Sequence, residues 1–386
     1  MKILLLNTGR FANAKAGTER VLCNMANAMV DRGHEVRIVN YHKNMGESPF
    51  PLNEKVTVMG VAQSRLTLFE RIKRCFQGSS DKRHEYGQNI LDAKQAKLIA
   101  QVIAEMKADI VICYQPTGVR ILHASSDPVC PVISMFHFDP KTIIRWYDGK
   151  TLKALEQCSR VQVLLESYIS ILKEYIKSDN IVYIPNVVPQ FGEARADLSS
   201  KVILHIGRFD KKQKRQHLLI EAFAKIAGYD EEWTVELWGE EFSEYFGHCK
   251  QLVEKLGLQD RVKFCGTTDN IIEEIKRASI FCFPSAYEGF GLAMTEAMSM
   301  GLPAVGYKGS LGVKELIEDK HNGILCDDGV EPLADALLEL IKDEEKRKRY
   351  GDNAKQDMKK YAPEVVWDMW EQLMEEAVHE YKARKQ

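Results

Sequence analysis

The segment Pro284–Glu296, PSAYEGFGLAMTE, follows the apolar run ASIFCF and opens a helix-like pattern, with Glu288 before its turn and Glu296 beyond it. Gly289 and Gly291 let the backbone approach a ligand closely. The amides of Phe290, Gly291 and Leu292 point out of the helix start, where the dipole favours an anion. Such a turn suits a phosphate. One carboxylate then stands at its phosphate end and the other alongside, in reach of a sugar or ribose hydroxyl. Acidic residues near a helix start are also simply compatible with the dipole, so spacing alone leaves both readings open.

Three further places could do chemistry. HIGRFDKKQK, residues 205–214, offers Arg208 as a planar fork and Lys214 as a flexible ammonium, together able to neutralise a diphosphate. Lys211, Lys212 and Arg215 read as a solvated basic face. His137 ends the run SMFH at a strand terminus, where it faces an interdomain cleft or serves as a structural histidine. Gly17, followed by Thr18, Glu19 and Arg20, either brings backbone up to a ligand at a helix entry or belongs to a plain turn capped by Thr18. The chain contains no G-x-G-x-x-G and no P-loop, which disfavours redox dinucleotides and nucleoside triphosphate hydrolysis, and no D-x-D, which is consistent with a diphosphate neutralised without a metal.

These residues sit at the ends of short aliphatic runs that alternate with helical periodicities, the pattern of parallel α/β layers. Strands are predicted over 3–7, 35–41, 56–60, 109–114, 132–137, 161–165 and 181–184. A second series is predicted over 201–207, 234–238, 262–265, 279–284, 304–307 and 323–326. Between the series, VVPQFGEARADLSS is polar and turn-rich and reads as a linker. The fold class is therefore α/β, with two Rossmann-like, doubly wound domains. Val365, Val366, Met369, Trp370, Leu373, Met374, Ala377 and Val378 form an apolar stripe at helical spacing that must pack on something.

Length and composition agree with two cytosolic domains. The 386 residues are 45% hydrophobic and 28% charged, and no stretch approaches the length of a spanning helix or of a signal-peptide core. Nine cysteines without a C-x-x-C pair read as reduced core residues. The net charge of −2 conceals a split. Residues 1–200 carry 26 Lys+Arg against 20 Asp+Glu, and residues 201–386 carry 27 against 35. Neither half is basic enough for nucleic acid.

AGTER (16–20), SMFH (134–137), IPNVV (184–188), HIGRFDKKQKRQHLLIEAF (205–223), VKFCG (262–266) and PSAYEGFGLAMTEAMSMGLPAV (284–305) together resemble the retaining glycosyltransferases of family 4, also called glycosyl transferases group 1. That resemblance spans both domains in order. It implies the two-domain GT-B fold, with an acceptor domain at 1–190 joined by a returning helix at 363–386 and a nucleotide-sugar donor domain at 191–362. By the same resemblance Arg208 and Lys214 are the diphosphate clamp, Glu296 the ribose carboxylate, Glu288 the carboxylate facing the donor sugar, and His137 the histidine near its C6 side. Gly17, Gly207, Gly289, Phe290, Gly291 and Leu292 complete the donor site, and Thr267 falls where the family contacts the base through its main chain. Three departures are visible. Ala16 stands where a second glycine is common, no glycine follows Asn186, and the clamp loop is one residue longer than usual, which leaves Lys212 as an alternative to Lys214.

The implied activity is a retaining hexosyl transfer from a nucleotide-sugar, UDP-linked by family tendency, to a glycan or lipid-linked hydroxyl in surface polysaccharide or glycolipid synthesis. Two cations and a helix start can stabilise the leaving diphosphate, so neither metal nor cofactor is expected. A nucleotide-sugar epimerase or a phosphorylase on the same fold, and a non-catalytic nucleotide-sugar sensor, are the competing readings. Residues 65–83, RLTLFERIKRCFQGSSDKR, set Leu68, Phe69, Ile72 and Phe76 beside Arg65, Arg71, Lys73 and Arg74. This stretch is expected either to lie on anionic lipid, giving a cytoplasmic protein a peripheral place on the inner membrane face, or to pack on its own domain.

Overall fold

In a computed structural model of the chain, residues 1–9, 11, 17–41, 48, 50–124 and 127–385 are described. The chain forms two compact units, Met1–Ile184 with Trp367–Gln386, and Pro185–Val366. By these bounds the first unit holds 28 Lys+Arg against 23 Asp+Glu and the second 25 against 32, so the charge split follows the units.

In the first unit β1 (Lys2–Asn7), β2 (Glu35–Asn40), β3 (Thr57–Gly60), β4 (Ile110–Cys113), β5 (Val132–Phe136), β6 (Arg160–Val163) and β7 (Ile181–Tyr183) form one sheet ordered β3-β2-β1-β4-β5-β6-β7. Every pairing is parallel. Parallel strands joined by crossover helices are covered on both faces, which is why β1 is a continuous aliphatic run and buries Ile3 to Leu6 completely. Helix α1 (Gly17–Asp31) makes the first crossover, turning Leu22, Met25, Ala26 and Met29 inward. The stretch 65–83 is two helices rather than one: α2 (Leu68–Cys75) ends before Gly78, at φ +80°, and α3 (Ser80–Met106) follows.

The second unit repeats the topology. Its strands β8 (Val202–Ile206), β9 (Thr234–Trp238), β10 (Val262–Gly266), β11 (Ile280–Phe283), β12 (Ala304–Tyr307) and β13 (Gly323–Cys326) are ordered β10-β9-β8-β11-β12-β13, again all parallel. The segment read as a linker is bonded to this unit. Val188 N–H donates to Tyr361 O at 2.9 Å, Ala196 N–H to Met300 O at 2.9 Å and Asp197 N–H to Lys276 O at 2.7 Å. Its polar composition reflects a surface strap whose Ala196 and Leu198 are nonetheless buried.

The terminal helix, Pro363–Ala383, buries Trp370, Leu373, Met374 and Ala377, whereas Val365, expected in the same stripe, is exposed. From Trp367 onward it belongs to the first unit. Glu371 accepts from Arg32 and lies 2.7 Å from His34 Nε2, Arg160 Nη2 donates to Glu380 at 2.5 Å, and the Tyr381 hydroxyl donates to Pro128 O at 2.7 Å.

Candidate functional site

An open doubly wound sheet binds ligands at the carboxyl ends of its strands where the order reverses. In the second unit that point lies between β8 and β11. The loop after β8 carries Gly207 to Arg215, and the loop after β11 carries Pro284 to Gly291. The sequence thus placed its two strongest segments on neighbouring strand ends.

The two loops are sewn together by groups that bind each other. Asp210 accepts backbone N–H bonds from Lys212 at 2.9 Å and Gln213 at 2.8 Å, which curls the first loop. Ala286 N–H donates to Gln213 O at 2.8 Å, and the Gln213 amide donates to Tyr287 O at 3.3 Å. Lys214 then reaches across: its Nζ lies 2.6 Å from Glu288 Oε1 and 4.6 Å from the centre of the Phe283 ring. Both side chains are largely enclosed, at 14% and 7% exposure, so neither charge has water as a full substitute for the other. Lys212, the alternative cation, is exposed.

Arg208 is placed differently. Its side chain is 67% exposed and rests lightly, with Nη2 2.8 Å from Gln213 Oε1 and 3.7 Å from Asp210 Oδ2. A guanidinium held at its edge and open to solvent can turn to an incoming anion. Arg215 corrects the reading of a solvated face: Nε donates to Pro284 O at 2.9 Å, Nη2 pairs with Asp328 at 2.8 Å, and the guanidinium lies 4.8 Å from the Tyr307 ring centre. It is a fastener between strand ends, a role that one-dimensional charge clustering conceals.

Phe290 is buried and meets Tyr361 edge to face at 5.4 Å, anchoring the turn before the helix Leu292–Ser299. Gly291 takes φ +74°, a conformation that only glycine adopts cheaply, and it caps that helix. The first amides of a helix lack a carbonyl one turn back and can serve an anion; here the turn closes with Met294 N–H donating to Gly291 O at 2.9 Å. Glu296 is buried on this helix, Gly289 is half-buried, and Thr267 is exposed just beyond β10.

Sequence reasoning missed the supports beneath the loops. His205 Nδ1 lies 2.9 Å from Cys282 O, so that nitrogen carries the proton and Nε2 receives the Gln216 amide at 3.2 Å. The Gln216 amide also donates to Arg208 O at 2.9 Å. A Cβ on Gly312 would lie 2.7 Å from Glu288 O and 2.9 Å from Glu288 Cβ. Gly312→Ala is therefore expected to displace Glu288 and lower turnover about tenfold or more, checked by initial rates; unchanged rates would remove Gly312 from the site.

Burial holds His205 and His217 at about 4, below the ordinary 6.5. The unfolded chain takes up these protons as pH falls below 6.5, whereas the folded one does so only near 4, so stability declines as pH falls through that window. The urea midpoint is expected to fall from pH 6.5 to 4, less steeply in His205→Asn. A flat profile in the parent protein would contradict this.

In the first unit the corresponding point lies between β1 and β4. Gln115, just after β4, accepts from Thr8 N–H at 2.7 Å and donates to Asn7 Oδ1 at 2.8 Å, closing the start of the loop after β1. Gly17 is the exposed first residue of α1, so Thr18 lies inside the helix and is not its cap; Ala16 is outside the described residues. His137 follows β5 and stacks on Tyr114 at 5.3 Å. Its Nε2 is buried with no hydrogen-bond partner among the described residues, and burial lowers its pKa to about 4, so the ring is neutral at pH 7. A cavity of about 990 Å³ in this unit, lined by Val132, Arg160 and Tyr381, lies at the amino ends of β5 and β6, the wrong edge for such a site.

Two successive doubly wound, all-parallel units are the architecture of the GT-B glycosyltransferase fold. The model for glycosyl transferases group 1 matches residues 189–357, and that for glycosyltransferase family 4 matches residues 16–189. The chain belongs to this glycosyltransferase family. It is 26% identical over 363 residues to an uncharacterized glycosyltransferase of Haemophilus influenzae, covering 93% of this chain and 96% of the relative. It is 25% identical over 382 residues to a Campylobacter jejuni α-1,4-N-acetyl-D-galactosaminyltransferase named for a diNAcBac-PP-undecaprenol-linked acceptor, covering 97% of each. In fold it is similar to Anabaena Alr3699/HepE in complex with UDP and glucose, with a TM-score of 0.74 at 20% identity over 97% of this chain and 99% of that one.

Proposed function

We propose that the chain transfers a hexose, with retention at the anomeric carbon and without a metal, from a UDP-sugar to a hydroxyl of a glycan or lipid-linked acceptor in surface polysaccharide or glycolipid synthesis. The observation that carries this reading is the enclosed Lys214–Glu288 pair at the β8/β11 switch point, 2.6 Å apart. It sets a cation for phosphate and a carboxylate for sugar hydroxyls side by side. UDP is favoured by the Anabaena complex, and a lipid-linked acceptor by the name of the Campylobacter relative.

In the reaction the bond from the anomeric carbon to the β-phosphate oxygen breaks, and the acceptor oxygen bonds to that carbon from the same face. The hydroxyl proton passes to the departing phosphate oxygen. Lys214, Arg208 and the amides of Phe290, Gly291 and Leu292 take up the charge that grows on the diphosphate, as preorganised electrostatics. Glu288 orients the donor sugar, Glu296 holds the ribose, and main chain at Gly207, Gly289 and Thr267 borders the nucleotide.

The test is a panel of nucleotide-sugars, with chelator present, scored by mass spectrometry for nucleotide release. UDP release from a UDP-hexose is expected, and release from none of the panel would contradict the reading. Because Arg208 is exposed, Arg208→Ala is expected to lower kcat/KM for the donor about 10²-fold while leaving the thermal midpoint unchanged. Parental kcat/KM would remove Arg208 from the clamp.

A further inference from the structure

The helix α2 is amphipathic the wrong way round for a helix that packs on its own domain. At 3.6 residues per turn, Cys75, Leu68, Ile72, Phe76 and Phe69 fall within an arc of about 120°. All of these face solvent: Leu68 is 75% exposed, Phe69 64%, Ile72 49% and Phe76 82%, and α2 buries no residue. The opposite, polar face makes the contact with the protein. Lys94 of α3 donates to Glu70 Oε2 at 2.5 Å and to Arg65 O at 3.1 Å. The Arg74 side chain runs so close over Gly87 of α3 that a Cβ there would lie 3.1 Å from Arg74 Cδ.

Local chemistry holds this short helix without core burial. Thr67 N–H donates to Glu70 Oε2 at 2.7 Å, and Glu70 N–H donates to Thr67 Oγ1 at 3.3 Å, forming a capping box. The outward arc is bordered by Arg71 on one side and Lys73 on the other, both exposed. Residues 65–83 hold six Lys+Arg against two Asp+Glu. Apolar side chains presented outward between two cationic borders match a surface that is greasy within and anionic at its rim.

We infer that α2 is a membrane-docking element: Leu68, Phe69, Ile72 and Phe76 insert at the acyl boundary of an anionic bilayer while Arg71 and Lys73 remain at the phosphates. The charge on both borders selects this occupant over an uncharged protein groove. Nothing in the inference depends on the transfer reaction, and its test uses neither donor nor acceptor.

The experiment is flotation of the full chain with vesicles of phosphatidylcholine alone and with about 30% phosphatidylglycerol, in the parent protein, in Phe69→Ser/Phe76→Ser and in Arg71→Glu/Lys73→Glu. The parent protein is expected to float with the anionic vesicles at low ionic strength and to be released by about 0.5 M salt. Both double variants are expected to bind at least tenfold less, with parental thermal midpoints. Failure of the parent protein to bind anionic vesicles at low salt overturns the inference. So does undiminished binding by both variants, or self-association through the same residues without vesicle binding, which would make a second copy the occupant.

Discussion

Lys214→Met is expected to lower turnover of the UDP-hexose about 10²–10³-fold, the usual consequence of removing one preorganised charge donor from a developing oxyanion. It is also expected to lower stability, because the ammonium neutralises a carboxylate that is only 7% exposed. Breaking a buried pair from one side costs about 3–5 kcal/mol, mostly from the charge left behind. The two effects separate in Lys214→Met/Glu288→Gln. That double variant leaves no stranded charge, so it is expected to regain most of the thermal midpoint while remaining inactive. Initial rates of UDP release and thermal unfolding, measured on both variants, check this. Recovery of turnover together with stability would show the pair to be structural only.

Gly239→Ala is expected to be among the most damaging single methyls in the second unit. A Cβ there would fall 2.2 Å from Gly207 O and 3.4 Å from Arg208 Cα. These neighbours are backbone and cannot swing aside. The strand ends are pinned at this level, Gly207 N–H to Trp238 O at 2.9 Å and Gly239 N–H to Gly266 O at 2.8 Å. Overpacking of this kind costs about 1–3 kcal/mol, or about 2–4 °C of thermal midpoint for each kcal/mol in a domain of this size. The displacement falls on the Gly207–Arg208 peptide, so kcat/KM for the donor is expected to fall about tenfold beyond the loss of folded protein. Parental values of both would mean that the β8 and β9 ends part more easily than their bonding indicates.

Much of the fold was legible because parallel strands buried on both faces are written as aliphatic runs, and every predicted run overlaps a strand of the two sheets. The site was legible at its strand ends for the same reason: Arg208 and Glu288 are polar groups placed straight after such runs. What stayed hidden needs two loops at once. Arg215 sits among lysines in sequence, and only the carbonyl of Pro284 and the carboxylate of Asp328 show that it is a fastener. Gly312 and Gly239 are two among 25 glycines until the backbone beside each is known. The strap 187–200 is polar because it lies on a surface, and composition cannot distinguish that from spanning a gap. In α2 the apolar stripe was plain, but its direction depended on the ion pair of Glu70 with Lys94.

The central claim, that Lys214 beside Glu288 serves a departing nucleoside diphosphate, is tested most directly by the rate of UDP release from the accepted UDP-hexose in excess chelator. The parent protein and the Lys214→Met/Glu288→Gln variant are compared at temperatures where both are folded. Chelator-insensitive release by the parent protein and a loss of about 10²-fold or more in the variant are expected. Equal rates in the two proteins, or release abolished by the chelator, would contradict it.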